Sequence, residues 1–357
     1  MKRRRNVNAI LAVWTVVFGV IALTSLCCSV IMYIYFTRED ESVTAMAEQT
    51  VSAETDGYSE SEVDSLIDET VSQAVEKARD EATSDFLTTM RDMMEEEGST
   101  VNMLRYFYPD NVIVYSGGKY NFLPILSNVA KNTYQDEFFI QDEEGIASYD
   151  DGNGLISHKG IDVSRFQGEI DWEKVKNDGV EFALIRLGVR GYTEGAIVLD
   201  QTYEANMEGA LSQGIHTGVY FFTQATTEEE VKEEVDFTLE NLKDYQIDGP
   251  IVIDVEDVNN GKGRTGALTA EERTKLIKAF CDQVKEAGYT PMIYGNLKSM
   301  TMMVDLTQLE EYEKWYAFYG FPVYYPYAYS ILQYSESGKV DGISTEVDLN
   351  IAFDTWW

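Results

Sequence analysis

Asp254 and Glu256 stand two residues apart in the run Ile251-Val252-Ile253-Asp254-Val255-Glu256, and of all the residues in the chain they point most directly to chemistry. The apolar members of the run predict a buried strand. On a strand, side chains two apart share a face, with Cα atoms roughly 6 to 7 Å apart. Two carboxyl groups at that reach suit cleavage of a glycosidic bond: one is held protonated to donate to the leaving oxygen, and the other supports the developing positive charge. Asp162, in Gly160-Ile161-Asp162-Val163-Ser164, and Asp348, in Glu346-Val347-Asp348-Leu349-Asn350, occupy comparable strand termini. Brought beside the pair by a closed barrel, they would raise one member's pKa and so separate the two roles. In an acidic chain an Asp-x-Glu pair is ordinarily a solvated loop. The apolar residues around this one change the reading, because unpaired acids in a buried strand are costly and usually functional.

The elements that must position these acids follow from the pattern between His158 and the C-terminus. Eight strand-like runs occur there: 160–164, 182–188, 217–223, 251–256, 292–296, 315–319, 330–334 and 347–352. Helical patterns separate the earlier ones, two of them with capping-box spacing at Thr226/Glu229 and Thr269/Glu272. Such alternation predicts parallel βα units in one α/β domain, with an eight-stranded barrel as the natural closure. Connections after Trp315 are too short for further helices, so the barrel is expected to be irregular. In a parallel barrel, chemistry belongs at the C-terminal strand ends, where Asp162, Asp254 and Glu256 fall, while Asp348 stands at the beginning of the last run.

His158-Lys159-Gly160-Ile161-Asp162-Val163-Ser164-Arg165-Phe166-Gln167-Gly168, followed by Ile170-Asp171-Trp172, resembles the opening of glycoside hydrolase family 25, lysozymes that cut bacterial peptidoglycan. The resemblance continues in order through 182–186, 218–222, 250–256, 291–294, 315–317 and 333–350, covering about residues 156 to 357. It implies an irregular TIM-like barrel of about five βα units plus three strands, and N-acetylmuramidase activity on the β-1,4 bond after N-acetylmuramic acid, with no cofactor and no metal. Carried over by position, Glu256 matches the general acid/base and Asp254 the companion carboxylate. Asp162 and Asp348 match the acids completing the groove floor. Tyr220, Tyr294 and Trp315 fall at ring-lined sugar contacts, with Arg186 and Gln333 among the substrate-binding positions. The resemblance implies retention of configuration, with either the substrate's acetamido group or Asp254 attacking the anomeric carbon. A catalytically silent glycan-binding scaffold is the alternative from another class, and the four intact acids count against it. A chitinase-like barrel would want an Asp at Val252.

Ahead of this domain the chain changes character. Residues 1–8 carry Lys2, Arg3, Arg4 and Arg5, and residues 9–36 contain no charged side chain. That run is long enough for a transmembrane helix, and it is longer than the apolar core of a cleaved signal peptide. The basic cluster predicts that the N-terminus is in the cytoplasm and the rest outside the cell membrane, with a Gram-positive bacterium as the expected source. Residues 37–105 read as an acidic helical stalk. The span 39–100 holds 19 acidic side chains against three basic ones, and a stripe of Ile67, Val71, Ala74, Ala78, Ala82, Phe86, Met90 and Met93 is spaced for a helix able to self-associate as a coiled coil. Residues 106–155 read as a small β-rich segment with a hairpin at Gly117-Gly118. A formal net charge of −34 argues against a nucleic-acid partner. Three cysteines, two of them in the apolar run, build neither a disulfide framework nor a cysteine zinc site. His158 and His216 lie in no triad arrangement, and Cys281 reads as a buried, inert thiol.

Overall fold

The computed structural model describes residues 60–96, 98–258, 261–353 and 357. The apolar run at 9–36 lies outside them, and no helix among the described residues is long and apolar enough to cross a membrane. The chain divides into two units, Met1–Ile113 and Val114–Trp357.

In the first unit, α1 (Glu60–Glu96) is a single helix of 37 residues. Its exposed face carries ion pairs at helical spacing, Lys77 to Glu81 at 3.8 Å and Arg91 to Glu95 at 4.0 Å, each of small value in water. The stripe predicted from sequence is exposed at Ile67, Val71, Ala74 and Ala78 and half-buried from Ala82 through Met93. α2 (Thr100–Phe107) starts at Ser99, whose hydroxyl accepts from the Asn102 amide, and Phe107 packs on Phe86 with ring centroids 4.6 Å apart. β1 (Asn111–Ser116) contains the boundary between the units and turns through Gly117 and Gly118 into β2 (Lys119–Pro124). Both glycines have positive φ, +61° and +76°, as a two-residue hairpin turn that matches strand twist requires.

The second unit is built on a closed sheet. β5 (His158–Val163), β6 (Phe182–Arg190), β8 (His216–Phe222), β9 (Ile251–Asp254), β10 (Pro291–Asn296), β11 (Glu313–Ala317) and β12 (Ile331–Gly338) run parallel in that order, and β13 (Val347–Ala352) lies antiparallel between β12 and β5. Five βα units come first, with helices α3 (Trp172–Asn177), α4 (Tyr203–Ser212), α5 (Glu228–Leu242), α6 (Ala270–Glu286) and α7 (Leu297–Met302), and three strands follow without helices. β7 (Ile197–Leu199) pairs antiparallel with β6 outside the barrel, and the sequence pattern did not single it out. The capping box at Thr269/Glu272 is present on α6. The one expected at Thr226/Glu229 is displaced by a residue: Thr227 caps α5 by accepting from the Glu230 amide, and the Glu230 carboxylate reaches back to Thr226. The strand expected to run to Glu256 stops at Asp254.

Because strand side chains alternate, each strand sends one column into the barrel. The lower parts of these columns are Phe182, Leu184, Val252, Met292, Trp315, Ile331 and Ala352, a continuous apolar core. Gly160 belongs to the same layer, and a Cβ there would sit 2.1 Å from the Phe182 ring. Higher up, the same columns become polar, with Asp162 above Gly160, Arg186 above Leu184, Asp254 above Val252, Gln333 above Ile331, and Asn350 then Asp348 beyond Ala352.

The preceding segment packs on this domain. β3 (Phe139–Gln141) pairs antiparallel with β4 (Ala147–Tyr149). Tyr134 stacks on Phe353 at 3.8 Å and donates to the Tyr329 carbonyl at 3.0 Å, and Phe139 meets Phe321 at 5.2 Å. At the opposite end of the strands from the acids, His158 pairs with Glu181 and His216 with Asp248. Cys281 is wholly buried, and burial raises its thiol pKa.

Candidate active site

β13 runs against the other strands, so its beginning lies where theirs end. The register pairs Asp348 directly with Asp162. Asp254 ends β9 between Phe222 of β8 and Tyr294 of β10. Glu256 lies in the loop just beyond the strand and is half-buried, while Val255 between them is buried and bonds to the Tyr294 carbonyl at 3.2 Å. The four acids therefore meet at one end of the barrel.

Asp254 is almost wholly buried, and its Oδ1 has no hydrogen-bond partner among protein groups. Burial, then the Glu256 and Asp162 charges, holds its carboxyl well above the usual carboxylate range, against the pull of Arg186. Burial followed by the Asp348 charge raises Glu256. Burial pushes Asp162 up to about 6 despite hydrogen bonds from Asn350 and Gln333 that favour its charge. Burial and the neighbouring Asp162 push Asp348 up to about 8. Such a cluster retains protons near neutral pH, as a general acid requires.

The floor beneath is a directed hydrogen-bond network. Asp162 Oδ2 accepts from Gln333 Nε2 and Asn350 Nδ2, both at 2.8 Å. Gln333 Oε1 accepts from the Tyr294 and Tyr319 hydroxyls, each at 2.8 Å. Asn350 Oδ1 accepts from the Trp315 indole nitrogen at 2.8 Å. Trp315 is 1% exposed and lies below the floor, its ring 4.4 Å from Tyr294 and 5.8 Å from Tyr220. Tyr220 and Tyr294 are buried as well, whereas Tyr319 is 49% exposed. Arg186 is committed sideways to Asp200, with Nε to Oδ2 at 2.7 Å, and its guanidinium lies 5.1 Å from the ring of the exposed Phe166. The structure thus gathers all nine residues singled out in the sequence around one barrel end, with Tyr220, Tyr294 and Gln333 in the floor and Trp315 beneath it.

The profile of the Glycosyl hydrolases family 25 matches residues 161–343, just over half of the chain. This chain belongs to glycosyl hydrolases family 25. Among relatives of the family 25 domain, the uncharacterized protein YegX of Escherichia coli (strain K12) is 31% identical over 54% of this chain and 68% of its own length. Lysozyme M1 of Streptomyces globisporus is 30% identical over 54% of this chain and 66% of its own. The modular autolysin LytC from Streptococcus pneumoniae, solved with a synthetic peptidoglycan ligand, shares the fold at a TM-score of 0.50 and 22% identity. That match covers 68% of this chain and 56% of LytC. By its family the chain is a glycoside hydrolase.

Two residues of this network went unassigned in the sequence, Asn350 and Tyr319. A polar Asn two positions from Asp348 on an otherwise apolar strand marks the same inward column, and that spacing was the available signal for Asn350. Tyr319 ends the strand run expected at 315–319, two positions beyond Ala317, whereas β11 stops at Ala317 and leaves Tyr319 in the loop after it.

Proposed function

We propose that this protein is a membrane-anchored peptidoglycan hydrolase that cleaves the β-1,4 bond between N-acetylmuramic acid and N-acetylglucosamine. The observation that carries the reading is the convergence of Asp254 and Glu256 with Asp162 and Asp348 at the barrel end where β5 and β9 finish and β13 begins, with all four carboxyl groups raised. Likeness to Lysozyme M1 supports the same substrate. Glu256, half-buried in the loop, gives its proton to the leaving glycosidic oxygen as the C1–O bond breaks. It then takes a proton from the water that attacks C1, so one water is consumed and Glu256 is restored. The buried Asp254, with an oxygen free to accept, orients and stabilises the substrate's acetamido group as positive charge develops. Residues 9–36 anchor the chain, and residues 37–105 space the hydrolase from the membrane for local wall remodelling.

The test is a digest of purified peptidoglycan by the detergent-solubilised full chain beside its Glu256→Gln variant. New muramic acid reducing ends from the wild type alone support the assignment. New N-acetylglucosamine ends reassign the bond, and activity retained by Glu256→Gln overturns the role of Glu256.

A further inference from the structure

Donors and acceptors around Asp162 fix where the proton of the acid cluster resides. An indole N–H can only donate, so the Asn350 side chain must turn its oxygen to Trp315, and its NH2 then faces Asp162. Gln333 Oε1 accepts from two hydroxyls, and its NH2 donates to the same carboxylate, whose negative charge favours that orientation. Asp162 Oδ2 thus receives two N–H donors and has no place for a proton of its own. Across the ladder Asp162 faces Asp348, its direct register partner on β13, and the two carboxyl groups act on each other. A hydrogen bond between two carboxyl groups needs one proton, and Asp348 has no such pair of amide donors.

We infer that Gln333 and Asn350 are positioning residues that hold Asp162 as the standing anion of the cluster and leave the shared proton on Asp348. This rests on the four acids being the active site, and it assigns a role that the hydrolytic step does not itself require. The other groups acting on the dyad do not reverse it. Glu256 acts on Asp162, Glu336 acts on Asp348, and Asp162 in turn acts on Asp254, Tyr220, Tyr294 and Tyr319. Arg186, the cation that acts on Asp254, is ion-paired with Asp200 at 2.6 Å. With Asp348 neutral, Glu256 faces one negative neighbour fewer. Deprotonation of Asp348 therefore tightens the hold of Glu256 on its own proton, which keeps the acid armed as pH rises.

The test needs no substrate, so its failure is distinct from failure of the muramidase reading. The full chain in detergent micelles, labelled with ¹³C at the aspartate carboxyl carbons, is titrated by NMR, and the signals are assigned by their loss in Asp162→Asn and Asp348→Asn. The Asp348 signal is expected to titrate at least about one pH unit above the Asp162 signal, a factor of about ten in proton affinity. Asn350→Leu should raise the Asp162 midpoint by about a unit or more. Tyr319→Phe, at a half-exposed position that tolerates change, should move it the same way by less. Asp162 titrating at or above Asp348 overturns the assignment. So does an Asp162 midpoint left in place by Tyr319→Phe, or by an Asn350→Leu protein whose remaining aspartate signals stay dispersed.

Discussion

Glu256 has a smaller burial penalty than Asp254 and stands in the loop where a leaving group can reach it, so its loss should be felt in chemistry more than in folding. Glu256→Gln is expected to lower kcat on peptidoglycan by about 10²- to 10⁴-fold, the usual value of a positioned general acid, with KM nearly unchanged. Asp348 behaves differently. Burial and Asp162 raise it to about 8, so the folded protein keeps a proton that the unfolded chain has already released. Its contribution to stability is full below about pH 4 and is lost as pH rises through about 8. Asp348→Asn should flatten that slope, making the variant roughly 1–3 kcal/mol more stable than wild type at pH 8 and little different at pH 4. Urea midpoints at the two pH values check this. At this scale the sequence was legible where a charge interrupts an apolar run, as at Asp254. It ended a strand run at Tyr319, which instead reaches Gln333 from the loop beyond β11, and it did not separate a ring on the groove from one beneath it, as with Trp315.

The strand pattern was clear because β6, β8, β9 and β10 are buried on both faces and read as continuous apolar runs. Strand direction was not legible: nothing in Val347–Ala352 announces that β13 runs backwards, since side-chain alternation is the same either way. The short strand β7 and the one-residue shift of the α5 cap escaped for a related reason, that element boundaries depend on neighbours. α5 also carries a buried charge pair. Arg190 Nε lies 2.7 Å from Glu234 Oε1, with both side chains nearly inaccessible, and Thr223, whose amide bonds to the Asp254 carbonyl at 3.2 Å, donates to the same Glu234. Burial pushes Glu234 up to about 7 against the pull of Thr223 and Arg190. Arg190→Met should strand that carboxyl and cost about 3–5 kcal/mol, because half of a buried pair is worse than none. Arg190→Met combined with Glu234→Leu should recover part of the loss in denaturant melts.

For the whole molecule, composition announced an acidic chain with an apolar start, and the proposed anchor has a direct consequence. The full chain should sediment with membranes and resist extraction by high salt, whereas removal of residues 1–38 should release it; immunoblots of fractions from wild-type and truncated cells check this. Soluble full chain without detergent counts against the anchor. The barrel also constrains events in time. Its first strand, β5, is bonded to its last, β13, and the pair Asp162 and Asp348 exists only through that bond. During synthesis the ribosome delivers Asp162, Asp254 and Glu256 well before the strand that closes the ring. A partly made chain thus holds three acids without the fourth and an open edge where β13 will sit, and a hydrogen-bonded closure between such distant segments is a slow, late event in folding. Lytic competence is therefore expected to arrive in one step, as the final strand docks, rather than to accumulate while the nascent chain grows.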